Sequence, residues 1–428
     1  MSRIWCKNIT HGFLKTFKMN KFYKKFVDQD YKPKKTELVA SFYMDTNIDF
    51  SDAAGGVAAE SSIGTWTDLA TLSKATFTKL GAKAFDIDKK AHTFKVAYPI
   101  ALFEKGSIPQ FLSGVAGNVF SMKIIKNLRL SDVDFPESYV NSFQGPRFGI
   151  KGIRRITGIY DRPILGSILK PKLGLSALQH ATLSYQVFIG GIDLVKDDEN
   201  LTDLSFSRFD QRVRLTLKMR DKAEKETGSK KLCVFNITAQ PDEMIRRAQL
   251  VKSLGGEVVM IDMVSVGLDN VQMLRKRDLG LIIHGHRAGH SMFTKNSKHG
   301  MSMLVLSKLA RLAGIDQLHT GTVVGKMEGG KDNVVEIDDF LRSKWFAIKT
   351  VFPIASGGLY PNLIPSLYKI FGKDVIMNFG GGIHGHPDGT FAGAKAVKQA
   401  LDATINGVSL EEYAKDNIEL AVAIRYWK

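Results

Sequence analysis

The sequence predicts an α/β protein, a (β/α)8 barrel preceded by a smaller α+β domain. Three observations predict it. Short apolar segments alternate with amphipathic ones through the C-terminal two thirds of the chain. Eight of the short segments have strand character. Polar residues gather at the ends of those segments, and seven of the ten histidines lie between positions 284 and 386.

Residues 1–18 form a basic extension without the apolar core or small-residue cleavage site of a secretion signal. They read as a disordered extension or the product of an upstream start codon, with Met19 opening more ordinary sequence. Residues 19–145 are assigned to the α+β domain. Its clearest elements are a strand over Leu38–Tyr43, a helix over Asp52–Ser61 and a strand over Thr93–Tyr98. Gly145-Pro146 marks its end.

Residues 146–428 are assigned to the barrel and closing helices. The expected strands are Pro163–Leu169, Ile192–Lys196, Leu232–Ile237, Val258–Met263, Leu279–His284, Gln317–Thr320, Thr350–Ala355 and Val375–Phe379. Helical segments between them include Arg208–Glu226, Pro241–Leu254 and Met301–Ala313. Ser409-Leu410-Glu411-Glu412 reads as a capping box opening the last helix.

Composition narrows the function classes. The chain has 428 residues, 44% hydrophobic and 24% charged, enough for a large core and a second domain. No apolar run approaches the ~20 residues that span a bilayer. Two cysteines, Cys6 and Cys233, make no disulfide framework, so a reducing cytoplasm is expected. The net charge of +17 is spread along the chain, and only the first 35 residues form a block, with ten Lys/Arg against two Asp. A lysine-rich composition with a solvated tail explains this better than nucleic-acid binding; an anionic small substrate is a third reading.

In a barrel of this kind, reactive groups sit at the C-terminal strand ends. Lys196-Asp197-Asp198-Glu199 ends the second strand. Alternation puts Lys196 and Asp198 on one face and Asp197 on the other. Two carboxylates make a poor site for a hard cation, which wants about six oxygens. Lys196 becomes a third oxygen ligand only by reacting with CO2 to give a carbamate. The neutral amine is the reactive form, about one lysine in a thousand near neutral pH, and nearby cations raise that fraction. A surface charge cluster at a strand end is the plainer reading of the tetrapeptide alone.

Lys170 and Lys172 end the first strand on a shared face and would supply those cations; alternatively they are solvated. His284-Gly285-His286-Arg287 ends the fifth strand. His-x-His suits either metal ligation or acid–base work, and Arg287 suits a phosphate. Gly325-Lys326-Met327-Glu328-Gly329 follows the sixth strand and suits either a mobile loop carrying a cation or a plain surface loop. Ser356-Gly357-Gly358 follows the seventh strand and Gly380-Gly381-Gly382 the eighth, where barrel loops often hold phosphate.

Taken together and in this order, these segments resemble the large subunit of RuBisCO, ribulose-1,5-bisphosphate carboxylase/oxygenase. The resemblance runs from about residue 36 to near the C-terminus and implies a TIM barrel behind an α+β domain. The Gly380–Gly389 run and the Glu412–Lys415 ending look most like the archaeal form III branch. The resemblance implies that Lys196 is carbamylated, binds Mg2+ with Asp198 and Glu199, and acts as base. It implies proton handling and substrate polarisation by Lys170 and Lys172, acid–base steps by His286, and a phosphate held by Arg287 and His319. Lys326 would steady CO2. Ser356, Gly357, Gly358, Gly380 and Gly381 would line the other end of the substrate, the glycines on its second phosphate.

In the earlier domain, the resemblance implies that Glu60 pairs with Lys326, that Thr65 and Trp66 help bind phosphate, and that Asn118 touches substrate and metal. In the family these four serve the barrel of a second subunit, which implies an obligate homodimer or an assembly of dimers, without a small subunit. The implied partners are ribulose bisphosphate, CO2 and O2, with no nucleic acid and no membrane. The implied setting is nucleoside (AMP) salvage. One departure is Ile168, where many members carry a threonine near the substrate. Competing readings are a related sugar-phosphate isomerase or enolase, a His-x-His metal hydrolase, and a nucleic-acid-binding protein. The first is opposed by the presence of Glu60, Thr65, Trp66, Lys170, Arg287 and Lys326 together.

Overall fold

A computed structural model describes residues 21–324 and 331–427. The chain divides into two compact units. One comprises the residues up to Ser142 together with Met292–Val305; the other comprises Phe143–Ser291 and Leu306–Lys428.

The first unit is built on strands β1 (Glu37–Thr46), β2 (Lys83–Asp88), β3 (Thr93–Pro99) and β4 (Ile125–Asp134). β1 pairs antiparallel with both β3 and β4. Its alternation is clean: Leu38, Ala40, Phe42 and Met44 are buried while their neighbours are partly exposed. Phe42 and Phe94 stack across the β1–β3 pair at 5.3 Å. The helix Phe50–Glu60 is capped by Asp49, whose carboxylate accepts from the N–H groups of Ser51 and Asp52.

The second unit is a closed eight-stranded parallel barrel. Its strands are β5 (Ile164–Ile168), β6 (Leu194–Lys196), β7 (Leu232–Asn236), β8 (Val258–Asp262), β9 (Ile282–His286), β11 (Gln317–His319), β12 (Phe352–Ser356) and β13 (Ile376–Phe379). Between β9 and β11, the two-residue β10 (Gly300–Met301) pairs parallel with β4 and extends the first unit's sheet. The expected barrel domain, 146–428, is therefore interrupted at Met292–Val305. A two-residue strand leaves no periodic trace in the sequence.

All eight expected strands are present with adjusted ends. The fifth begins at Ile282 rather than Leu279 and runs on to His286. The cause is local: Asp278 and Gly280 both have positive φ, which breaks the extended backbone before the strand. Ser409 accepts from the Glu412 N–H as expected, but it caps only the single turn Leu410–Tyr413; the last helix is Ile418–Tyr426.

The barrel interior begins with an apolar layer containing Ile164, Leu194, Leu232, Val258, Ile282, Phe352 and Ile376, the first residues of seven strands. Ile150 and Ile153, from the helix Gly149–Thr157, join this layer and cover the N-terminal end. An acidic residue stands just before the second, fourth, sixth and eighth strands of the barrel, and each is held by an arginine. Arg162 grips Asp193 with two bonds of 2.6 and 2.8 Å before β6. Arg220 reaches Glu257 at 2.9 Å before β8, and Arg275 pairs with Asp316 before β11. Arg154 binds Asp374 at 2.9 and 2.6 Å before β13. Strand N-termini expose N–H groups that need acceptors when buried. Asp193 accepts from Leu165 N at 2.9 Å. Asp316 accepts from the N–H groups of Phe148, Gly149 and Ile283 at 2.7, 3.2 and 3.0 Å.

Asp316→Ala would strand buried Arg275 and those three N–H groups. The expected cost is about 3–5 kcal/mol, read as a fall in the urea unfolding midpoint. Arg246→Ala, which breaks exposed pairs with Glu243 and Asp210, is expected to cost about 1 kcal/mol or less. Equal, small shifts would contradict a closing role for the acids.

Candidate active site

Strand alternation carries polar residues to the barrel's C-terminal end. Ile164, Leu194, Val234, Met260, Ile282, Ile354 and Ile376 share the interior. Stepping by twos from them reaches Ile168, Lys196 and Asp198, Asn236, Asp262, His284 and His286, Ser356, and Asn378 and Gly380.

Lys196 is the most constrained of these. It is 1% exposed, and its Nζ donates to the Asp197 carbonyl at 2.8 Å. Burial pushes its pKa down, although Glu199, Asp198, Asp262 and Asp197 all favour the cation. The neutral, nucleophilic amine is thereby enriched. Asp198 is buried, and its Oδ2 meets Lys170 Nζ at 2.9 Å. Gly380 helps here, because a Cβ on it would lie 3.3 Å from Lys170 Cε. Glu199 is half-buried, with Oε2 3.7 Å from His286 Nε2.

Asp197 points elsewhere. It is fully buried against Arg212, 3.2 Å away, and His180, 3.0 Å away, and it accepts from Asn236 N at 3.0 Å. Burial opposes its ionisation, but Arg212 and His180 outweigh this and hold its carboxyl down at about 2. Asn236 Nδ2 donates to the carbonyls of Asp198 and Glu199 at 3.3 and 2.9 Å, so the backbone carrying both carboxylates is fixed from behind.

Lys172 departs from expectation. β5 ends at Ile168, so alternation does not extend to it, and it is exposed. It lines a small cleft with Leu169, Leu173, Asp198 and Phe206. The histidines of the His-x-His pair have separate partners. His286 Nδ1 lies 3.1 Å from Asp262 Oδ1, while His284 is bound to Gln317 and His319. Burial pushes the pKa of both rings down. His319 is 2% exposed, with Nδ1 on the Ser356 hydroxyl at 2.8 Å and Nε2 on His284. Both its nitrogens are engaged, so reaching a phosphate would require it to release Ser356.

Arg287 is largely buried, and burial pushes its pKa down to about 10 against the pull of Asp338. Its Nη2 would lie 2.7 Å from a Cβ on Gly321, a residue at φ +109°, so only glycine leaves room for the guanidinium. Gly357 and Gly358 adopt φ of +115° and +74°, turning the backbone away after Ser356. Gly380 and Gly381 open the short turn Gly381–His384.

Glu60, Thr65, Trp66 and Asn118 all belong to the first unit. Glu60 ends its helix and accepts from Tyr23 at 3.3 Å, and burial raises its pKa. Thr65 is half-buried, Trp66 is 66% exposed, and Asn118 begins a 3-10 turn. Lys326 lies outside the described residues.

Sequence reading missed Asn236, Asp262 and Gln317. Asn236 and Asp262 are each the one polar residue ending an apolar strand, whereas Gln317 opens the strand Gln317–His319; Asp262 stands in register with His286. A rule naming every polar residue at a strand's C-terminal end would have found the first two. Among the described residues, no group of three His, Cys, Asp or Glu side chains is arranged to hold a metal. Asp198 and Glu199 supply two hard oxygen donors. The set fits an oxygen-seeking cation once Lys196 contributes an oxygen as well.

Comparison with known proteins bears on this site. The chain matches the family described as "Ribulose bisphosphate carboxylase large chain, catalytic domain" over residues 149–427. It matches the corresponding N-terminal domain over residues 25–139. A ribulose bisphosphate carboxylase of Methanosarcina mazei is 50% identical over 421 residues, covering 94% of this chain and 98% of the relative. One from Pyrococcus abyssi is 49% identical over 95% of this chain and 97% of its own. The crystal structure of the octameric enzyme from Pyrococcus horikoshii OT3, in complex with sulfate, superposes with a TM-score of 0.92 at 48% identity, covering 95% and 96% of the two chains. The dimeric archaeal Rubisco from Hyperthermus butylicus superposes with a TM-score of 0.90 at 45% identity, covering 95% and 99%. The chain belongs to the ribulose bisphosphate carboxylase large-chain family.

Proposed function

We propose that this chain is a ribulose-1,5-bisphosphate carboxylase/oxygenase of the archaeal form III type. It adds CO2 or O2 to the enediolate of ribulose bisphosphate; the carboxylase reaction, with water, gives two molecules of 3-phosphoglycerate. The observation that carries the reading is the sealed Lys196 amine beside Asp198, Glu199 and Lys170 at the C-terminal end of β6.

Lys196, once carbamylated, completes with Asp198 and Glu199 an oxygen set for Mg2+. The bound metal would supply Lewis-acid polarisation of the substrate's oxygens. The remaining work falls to side chains. Lys196 in its carbamate form takes the proton from C3. Lys170, held on Asp198, carries protons near C2. His286, steadied by Asp262, serves a later proton transfer. Arg287 binds one phosphate. The backbone N–H groups around Gly380 and Gly381 take the other, and Ser356 meets the sugar. Lys172 lies at the rim, where it draws in the anion. Lys326 is assigned to the incoming CO2 and Glu60 to Lys326. Thr65, Trp66 and Asn118 are assigned to the site of a second copy, which makes the working unit a homodimer or a larger assembly without a small subunit. We assign it a cytoplasmic role in salvage of nucleoside phosphates (AMP), as the resemblance to the form III branch implies.

The direct test is incorporation of labelled bicarbonate into 3-phosphoglycerate after preincubation with CO2 and Mg2+. Label should appear only with ribulose bisphosphate present, and a chelator should abolish it. Isomerised substrate without carbon gain would favour the sugar-phosphate isomerase instead. Lys196→Met should lower the rate by about 10²–10⁴-fold or more while leaving the unfolding midpoint in place. Asp197→Ala should act on stability, costing about 3–5 kcal/mol by stranding Arg212. A normal midpoint with no activity in that variant would return Asp197 to the ligand set. Sedimentation should find dimers or multiples of dimers; a fully active monomer would refute the shared site.

A further inference from the structure

Below the barrel mouth, four side chains from three adjacent strands form one hydrogen-bonded chain. Gln317 and His319 sit on β11, His284 on β9 and Ser356 at the end of β12. Gln317 Oε1 lies 2.9 Å from His284 Nδ1, His284 Nε2 lies 2.8 Å from His319 Nε2, and His319 Nδ1 lies 2.8 Å from Ser356 Oγ. Gln317, His284 and His319 are buried. Only Ser356 is partly exposed.

The proton positions along this chain are linked. A neutral imidazole has one N–H donor and one bare nitrogen acceptor. Burial holds both rings well below their ordinary pKa, so each carries one ring proton. Two nitrogens 2.8 Å apart, as between the rings, need one proton between them. With three bonds to satisfy, the choice at one end dictates the other. At the sealed end, Gln317 presents Oε1 to His284, and its Nε2 has no hydrogen-bond partner. An amide oxygen only accepts. His284 therefore donates from Nδ1 and accepts at Nε2, His319 donates from Nε2 and accepts at Nδ1, and the Ser356 hydroxyl spends its one proton on His319.

We propose that Gln317 sets the proton direction of this chain, so that Ser356 faces the substrate as a hydrogen-bond acceptor. Gln317 is then a positioning residue that acts through two histidines without touching substrate. The group that fits Ser356 is a sugar hydroxyl with a proton to give, not a phosphate oxygen, which only accepts. Naming the ligand as the sugar rests on the carboxylase reading; the proton direction does not.

The test is ring-nitrogen NMR of the full-length protein labelled with 15N-histidine. Two-bond proton–nitrogen couplings report which ring nitrogen is protonated, and Gln317→Leu identifies His284 as the ring that responds first. The expected result is His284 protonated on Nδ1 and His319 on Nε2. The opposite pair of tautomers, or two protons on either ring, would overturn the proposal. This readout needs no substrate, so an absence of carboxylation would sink the proposed function and leave the tautomers to stand or fall alone. In kinetics, Gln317→Leu should raise the KM for ribulose bisphosphate by about tenfold with a smaller change in kcat. Gln317→Glu, which keeps an acceptor on His284, should restore KM. Loss in kcat alone, or equal loss in both variants, counts against the proposal.

Discussion

The rest of the site is organised around one buried nitrogen, Nζ of Lys196. A charged lysine sealed from water at the end of a three-residue strand is costly, even among four carboxylates. Burial shifts the balance toward the neutral amine, the form whose lone pair attacks CO2. The constraint extends backwards into the fold. Asp197, the residue between the two inward-facing groups, is fixed by Arg212 and His180, and Asn236 ties the next two carbonyls. A side chain that faces away from the mouth thus holds in place those that face it.

The two ends of the barrel use the same residue types for opposite ends. At the N-terminal end, Asp193, Glu257, Asp316 and Asp374 are each matched to a guanidinium, which is permanently charged and sterically fixed. Those pairs consume their charges in closing the barrel. At the C-terminal end, the charged partner of Asp198 is a lysine amine, with Asn200 donating to its other oxygen, and Glu199 sits 3.7 Å from an imidazole. These partners can move or give up a proton, so the carboxylates stay available for other ligands.

That contrast decides what was legible in the sequence. The strands were legible because parallel strands buried on both faces read as apolar runs, as in Leu232–Phe235 and Val258–Ile261. Their ends were less so, because the break before Ile282 depends on backbone angles at Asp278 and Gly280. Motifs dense in glycine, histidine and lysine were legible because their chemistry is local. Asp193 and Asp198 look alike in sequence, and only the strand's direction assigns one to closure and the other to the mouth. The partners that distinguish them are remote: Arg154 and Asp374 are separated by 220 positions. Gln317 was missed for the same reason, since its meaning lies in a histidine on the neighbouring strand.

The state of the protons at the mouth also bears on how it meets an anion. Burial pushes the pKa of His284, His286, His319 and His384 down, so around neutral pH these rings act by hydrogen-bond direction rather than by charge. Among the described residues at the mouth, charge attraction falls to Arg287, Lys170 and Lys172. An arriving bisphosphate would raise the proton affinity of every nearby ring. His284 and His319 begin well below their ordinary pKa, so they have room to absorb that pull without gaining a second proton. A hydrogen-bond direction set by Gln317 can therefore survive the approach of two phosphates, whereas one built on solvent-exposed histidines would be rewritten by the ligand it is meant to orient.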